Sequence, residues 1–501
     1  MTELGSAGDS GTKITGKLED YLIDGYLPTI GIECHVQLNT NSKLFSSTNN
    51  DAREASPNTC VSVIDYGLPG MLPVLNRGAI VKAVRAGRAL GSKIANQSRF
   101  DRKHYFYPDL PKGYQISQMY EPLIIGGQVV LPSGETVRIH HAHVEEDAGK
   151  LTHYADYSLV DLNRAGTPLI EIVAEPDIHS AAMARAYAEE LHLLMTYADV
   201  TIGNLYHGNM RFDVNISVAK VGQKLGTRTE LKNLNSFRAV ERATDYEIKR
   251  QIELLNNGEV VEQQTRGWSE NESKTFVQRS KENAQDYRYM PDADIPPVVL
   301  TDEEIAEIQA NFPAMPSDYR TKFSELDIDE SVSRVLIKHK AVAELIASIM
   351  DKSQVDVGRR IANLFVSALP SDVDVDDNSD DKTLNLPSAT NLIELANMLS
   401  DNKLSSTAGK EVFANMLTCD ESPLDIAQKH NLLQVTDESA IEQIVQQVIS
   451  SPKCAKAVAD FQAGQDKVIG FLVGQVMAAS KGQADPSLAQ KILRSELKKQ
   501  K

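Results

Sequence analysis

What this 501-residue sequence lacks narrows its chemistry before any motif is read. It has four cysteines, Cys34, Cys60, Cys419 and Cys454, and no CxxC pair. That excludes a disulfide framework and a zinc knuckle. Neither GxxxxGK[ST] nor GxGxxG occurs, so neither standard Gly-rich nucleotide loop is present. There is no G-x-S-x-G elbow for a serine nucleophile. The longest apolar run, VIGFLVGQVMAA at 468–479, is too short to cross a bilayer, and no membrane association is expected. The opening MTELGSAGDSGTK has no apolar signal core and no Arg-rich amphipathic pattern, so a reducing cytoplasm is the expected compartment. Positive charge is in deficit, with 52 Lys and Arg against 69 Asp and Glu and a net charge of −17. A chain this acidic does not coat nucleic acid non-specifically, although local basic sites remain open to it.

What is present is an ordinary globular composition, 42% apolar and 24% charged, with length for two to four domains. Residues 1–25 read as a loosely attached tail. Residues 26–297 alternate short strand-like segments with Gly/Pro turns and hold nine of the eleven histidines. DADIPPVVL (292–300) is a seam, because Pro296 and Pro297 stop regular structure. Residues 298–408 turn helical, with SVSRVLIKHKAVAELIASIM (331–350) showing apolar residues at helical spacing. SDVDVDDNSDDK (371–382) reads as a solvated acidic loop. Residues 409–501 read as short amphipathic helices ending in a basic cluster: Lys481, Lys491, Arg494, Lys498, Lys499 and Lys501. Gly470, Gly474 and Gly482 lie nearby, where backbone could approach RNA. The expected class is α+β: a mixed or antiparallel sheet domain, then an all-α domain, then an all-α tail.

Period two organises the first half. IGIECHVQL (30–38) places Glu33, His35 and Gln37 opposite Ile32, Cys34 and Val36. MRFDVNISV (210–218) sets Arg211, Asp213, Asn215 and Ser217 on one face, and TRTELKN (227–233) sets Arg228, Glu230 and Lys232 together. In LIEIV (169–173), Glu171 is the single charge in an apolar strand. A buried carboxylate is costly unless it is paired or bound to a cation. HVEEDAGK (143–150) adds Glu145, Glu146 and Asp147 at a strand end. Carboxylates with an imidazole and no thiolate suit a hard cation such as Mg²⁺ or Mn²⁺ better than zinc. Taken singly, each polar face is also what an ordinary solvated antiparallel strand presents. Glu171 is the residue that this plainer account leaves unexplained.

FDRKHYFYPDLPKGYQISQ (100–118) mixes Arg102, Lys103, His104 and Lys112 with four aromatics. Such a segment could grip phosphate or stack on bases, or could be a surface loop pinned by its rings. VDLNRAGTP (160–168) sets Arg164 near Gly166, where backbone could approach a phosphate. The residues alone reach a metal-dependent enzyme acting on a phosphate-bearing substrate.

These segments also carry a resemblance. IGIECHVQLNTNSKLFS, LPGMLPVLNRGAI, FDRKHYFYPDLPKGYQISQ, HVEEDAGKLTH, SLVDLNRAGTPLIEIVAEPDI, TELKNLNSFRAVERATDYEIKRQ and DYRYMPDADIPP resemble, in order, the GatB family. Its members are the GatB components of bacterial aspartyl/glutamyl-tRNA amidotransferases. KVIGFLVGQVMAASKGQADP resembles the family's YqeY-like tail. The resemblance implies ATP-dependent conversion of Glu-tRNA(Gln), Asp-tRNA(Asn) or both to the amidated forms. The side-chain carboxylate is phosphorylated, and ammonia from the amidase GatA displaces the phosphate, with GatC joining the other two proteins. It implies ATP and Mg²⁺ or Mn²⁺ as cofactors and a cradle-shaped catalytic domain. Carried over by motif, it implies a metal group of His35, Glu146 and Glu171. It further implies catalytic roles for Glu33, Lys103, Arg164 and Asp213, with nucleotide contacts through Lys103 and Arg164. Many members have a cysteine zinc site following KLF and near the PN segment. Here those places read KLFSSTNN and SPNTCVSVIDYGLPG, so no zinc is expected. NLYHGNMRFDVN has Tyr206 and His207 where the family usually has an acidic turn, which leaves any role of that turn in doubt. A non-catalytic tRNA-binding protein and a stand-alone ligase are the alternatives.

Overall fold

A computed structural model describes residues 18–280, 287–369, 385–434, 438–480 and 484–499. The first part of the expected N-terminal tail, the acidic run 371–382, Lys481, Gly482 and Lys501 lie outside the described residues. The chain divides into two compact units, one running to Pro316 and the other starting at Ser317.

The first unit is built on a ten-stranded sheet. Its centre is strand β1 (Tyr26–Gln37), whose residues alternate strictly between buried and half-buried. The other elements that position the site are helix α1 (Arg77–Ala89), the hairpin of β2 (Asp101–His104) and β3 (Tyr114–Ser117), β4 (Thr136–Glu146), and β5 (Pro168–Ala174). They continue with α2 (Ala181–Tyr197), β6 (Met210–Lys220), β7 (Thr229–Leu234) and α3 (Phe237–Asn256). The central order is β7-β6-β1-β5-β4, all antiparallel. Beyond β7 the sheet gains a parallel partner at Gln264–Ser269, so it is mixed.

One face of this sheet is fully apolar. Ile30, Ile32, Cys34 and Val36 of β1 meet Ile170 and Ile172 of β5 and Phe212, Val214 and Ile216 of β6 in one core. Helices α2 and α3 cover it with Ala184, Tyr187, Leu191, Val240 and Ala243. Both helices begin on serines: Ser180 Oγ accepts from Met183 N at 3.1 Å and Ser236 Oγ from Ala239 N at 3.0 Å. With this face sealed, the period-two register leaves Glu33, His35, Glu171, Arg211, Asp213, Asn215 and Ser217 on the opposite face.

The seam at Pro296–Pro297 interrupts local structure without ending the unit. Val298–Val299 pairs with Gln97–Ser98, and helix α4 (Asp302–Ala310) follows behind a Thr301/Glu304 capping box. Ile305, Ile308, Phe312 and Met315 then pack on the main core. Apolar side chains, which the prolines do not remove, carry the unit on to Pro316.

The second unit is all helical among its described residues. The segment 331–350 forms two helices, Glu330–Lys338 and Lys340–Met350, because His339 leaves helical geometry at φ −110°, ψ 88°. The boundary expected at 408/409 falls inside helix Ser406–Met416, whose Phe413 meets Phe365 edge-on at 5.0 Å. Further along, Ile441, Val445, Leu472, Val476, Ile492, Leu493 and Leu497 form a core of their own. No helix among the described residues is long and apolar enough to cross a membrane.

Candidate active site

The sheet register lines up the polar face in rows. One row runs Arg211 (β6), His35 (β1), Glu171 (β5), His143 (β4). The neighbouring row runs Asp213, Glu33, Val173, His141. Directly opposed residues have Cβ atoms about 5 Å apart, so one row is enough to make a site.

His35 Nε2 lies 3.2 Å from Glu171 Oε2 and 3.5 Å from Glu145 Oε1. His143 Nε2 approaches the same two carboxylates at 3.6 and 3.7 Å. One donor atom from each of His35, Glu145 and Glu171 fits within 4.8 Å, the one such group among the described residues. Neighbouring ligands on a cation bound at ~2.1 Å stand about 3 Å apart, so these donors are spaced for a small divalent ion. The donor set, oxygen plus imidazole without sulfur, fits Mg²⁺ or, better, Mn²⁺. Burial pulls the His35 imidazole down, but the hydrogen bond and charge of Glu171, then Glu145, raise it to about 9. Burial opposes ionisation of Glu171, yet the hydrogen bond to His35 and the charges of His143, His35 and Lys103 hold it well below the usual carboxylate range. Burial, then the charge of Glu171, pushes Glu33 up. His141 drops to about 4 through burial and its histidine neighbours His143 and His140.

At one position of the expected metal group the neighbouring carboxylate differs. The structure brings Glu145, not Glu146, to His35 and Glu171, because adjacent residues of β4 point to opposite sides. Glu146 turns into the protein, where it pairs with Lys112 and accepts from Ile116 N at 2.9 Å. Counting by two from Glu171's partner His143 would have selected Glu145. Asp147, the third carboxylate of the run, takes Arg211 at 3.0 Å and Arg164 at 3.1 Å.

The remaining expected residues distribute unevenly. Lys103 stands over the Tyr287 ring at 4.9 Å. Burial lowers its pKa, but the charges of Glu145, then Tyr289 and Glu171, raise it overall. Glu33 accepts from Asn215 Nδ2 at 2.9 Å. Asp213 is buried and bound by Lys232 at 2.8 Å and Asn233 N at 2.9 Å. Arg164 is committed to its own loop, donating Nε to Ala148 O and Nη2 to Gly149 O at 3.0 and 3.2 Å. The loop is stapled by Lys43, fully buried, whose ammonium donates to Ala165 O at 2.6 Å and pairs with Asp65 at 3.3 Å. Lys43 and Asp65 lie in the KLFSST and VIDYG segments, and nothing in their spacing announced the pair.

A cavity of about 280 Å³ opens on the same face next to Glu33, lined by Thr29, Gly31, Val173, Asn215, Ser217 and Arg228 among others. Its hydroxyl, amide and guanidinium groups sit among apolar walls. Cys34, on the sealed face, is fully buried, and burial pushes its thiol well up, so it is no nucleophile. In the second unit, Lys491 and Lys498 are exposed on helix Pro486–Lys499, Arg494 pairs with Asp466 at 3.4 Å, and Lys499 with Glu496 at 2.6 Å.

Comparison with known proteins agrees with this architecture. Residues 28–306 match the family model described as GatB/GatE catalytic domain, and residues 353–497 the model described as GatB domain. The B-type subunit of the aspartyl/glutamyl-tRNA(Asn/Gln) amidotransferase of Herminiimonas arsenicoxydans is 44% identical over 488 residues, 93% of this chain and 98% of the relative. The protein of the same name in Persephonella marina is 42% identical over 479 residues, 94% and 99% of the two chains. That of Neisseria meningitidis is 42% identical over 477 residues, 93% and 98%.

Proposed function

The chain belongs to the GatB family, and from that premise we propose that it activates and amidates the side-chain carboxylate of a glutamate or aspartate esterified to tRNA. A carboxylate is inert to ammonia until one oxygen becomes a leaving group. ATP supplies that group: its γ-phosphoryl moves to the carboxylate oxygen and ADP departs. Ammonia then attacks the acyl carbon and expels inorganic phosphate, leaving the amide.

The observation that carries this reading is the convergence of Glu145, Glu171, His35 and His143. His35, Glu145 and Glu171 would hold a divalent cation, Mg²⁺ or Mn²⁺, which neutralises phosphate charge when bound. Lys103, whose pKa the charges of Glu145 and Glu171 raise, would meet phosphate oxygens that enter there. Glu33, held by Asn215, borders the 280 Å³ cavity, whose mixed lining suits a nucleoside. Asp213 fixes Lys232 at the edge of that face. Cys34 is sealed in the core and offers no nucleophile for glutamine hydrolysis, and in this reading ammonia comes from elsewhere. An amidase and a third, linking protein, the GatA and GatC of the family, fill that need. The setting is the cytoplasm, where tRNA is charged.

The test is to reconstitute the chain with these two partners and supply glutamine, ATP and either Glu-tRNA(Gln) or Asp-tRNA(Asn). Hydrolysis of ATP that requires the aminoacylated tRNA, together with formation of the amide, is expected. ATP hydrolysis indifferent to aminoacylation, without amide, overturns the reading.

A further inference from the structure

Four protein carboxylates, Glu33, Glu145, Glu171 and Asp213, share the polar face with the space a substrate carboxylate has to enter. A fifth carboxylate needs a dedicated cation. Lys232 is taken by Asp213 at 2.8 Å and Glu230 at 2.9 Å. Arg164 is bound to Asp147, Ala148 O and Gly149 O.

Arg211 is differently placed. It is the cross-strand neighbour of His35, in the row that continues through Glu171. Among the described residues its guanidinium has one hydrogen-bonding partner, Asp147, reached through Nη2 at 3.0 Å. A guanidinium carries five N–H donors, so most of its donors are without a protein partner. Its side chain is 21% exposed, against 42% for Arg164, and it lies on the polar face in the row of His35 and Glu171. Asp147 anchors one end of the guanidinium. The result is a preorganised fork of the shape that carboxylates match.

We propose that Arg211 is the binding residue for the side-chain carboxylate of the aminoacyl group, and that Asp147 is its positioning residue. This rests on the transamidation reading and names the contact by which the acceptor is recognised. Arg211 stands beside the cation ligands, while Lys103 comes from the separate β2–β3 hairpin. Two separate cations are available, one for each of the two anions that have to meet. Glutamyl and aspartyl groups present the same terminal carboxylate, so this contact serves either.

The experiment compares wild type, Arg211→Gln, Arg211→Lys and Asp147→Asn in the reconstituted complex. Arg211→Gln is expected to raise KM for aminoacyl-tRNA, or to lower kcat, by about 10- to 100-fold. KM for ATP is expected to change less than about twofold, and affinity for uncharged tRNA not at all. Arg211→Lys keeps the charge but loses the fork, and falls between. Asp147→Asn leaves Arg211 charged but unanchored, with a smaller loss in the same direction. A larger effect on KM for ATP would make Arg211 a phosphate contact and overturn the assignment, as would unchanged kinetics. Thermal melting and Mn²⁺ binding at wild-type levels in Arg211→Gln exclude misfolding. If that variant does not fold, Arg211→Lys with wild-type kinetics is itself sufficient to refute the proposal. Failure of the wild-type complex to couple ATP to aminoacyl-tRNA refutes the function instead.

Discussion

Exchanging the roles of two adjacent glutamates gives the sharpest test of the site. Glu145→Gln and Glu146→Gln remove the same charge one residue apart. Glu145 is one of the three donors within 4.8 Å, so its loss is expected to weaken Mn²⁺ binding by more than about 100-fold, beyond what outer-shell changes cost. Folding stability should change little, because a buried like charge beside Glu171 is removed with it. Glu146→Gln acts the other way. Lys112, 8% exposed, loses the carboxylate it pairs with and stays buried with its charge uncompensated. Breaking such a pair costs about 3 to 5 kcal/mol. Burial already raises the Glu146 pKa despite Lys112, so part of the ionised carboxylate's burial is unrewarded and the low end, about 3 kcal/mol, is expected. Replacing both partners, Lys112→Met with Glu146→Met, should therefore return stability to wild type or above. Mn²⁺ binding followed by electron paramagnetic resonance, with urea unfolding in parallel, separates the two effects. Loss of Mn²⁺ binding in Glu146→Gln, with retention in Glu145→Gln, would refute the register on which the whole site rests.

Lys103→Ala should lower the rate of amide formation by about 100-fold or more, since a preorganised cation at developing phosphate charge is lost. Mn²⁺ affinity should hold or rise in the same variant, because a positive neighbour of Glu145 and Glu171 is gone; weaker Mn²⁺ binding would contradict this placement. In the cation-free chain His35 keeps its proton to about pH 9, so Mn²⁺ has to displace it, and apparent affinity should climb with pH and level off above 9. Because the folded pKa lies above the ordinary 6.5, the stability that this proton contributes is complete below pH 6.5 and is lost as pH rises through 9; melting curves of the cation-free chain at pH 6 and 9.5 check the sign. Ending the chain at Gln434 removes the separate core of Ile441–Leu497 whole, with exposed Lys491 and Lys498. tRNA binding should then weaken and lose salt dependence, while the first unit's unfolding is unaltered; unchanged tRNA affinity would place the RNA contacts elsewhere.

The alternation of IGIECHVQL, MRFDVNISV and LIEIV was enough to determine that these segments are strands, which face of each is sealed, and that Glu33, His35, Glu171 and Asp213 share the other face. Period two is a local property, carried by every residue in the strand. The helical character of the C-terminal half followed in the same way from apolar spacing. The long, ordered motifs also made the GatB family legible, since each is a run of residues rather than a position. What the sequence could not decide was partnership across strands. Three carboxylates in a row look alike in HVEEDAGK; pairing of His143 with Glu171 decides that Glu145 enters the site and Glu146 meets Lys112. The sequence put Arg164 forward as a site cation and Arg211 only as a residue of the polar face, whereas the turn through Asp147, Ala148 and Gly149 occupies Arg164 and leaves Arg211 with one partner among the described residues. The first unit's end at Pro316 rather than at Pro297 has the same origin, because apolar side chains beyond the prolines find the core. Local spacing fixes which way a side chain points, whereas register and packing between distant segments decide what it meets.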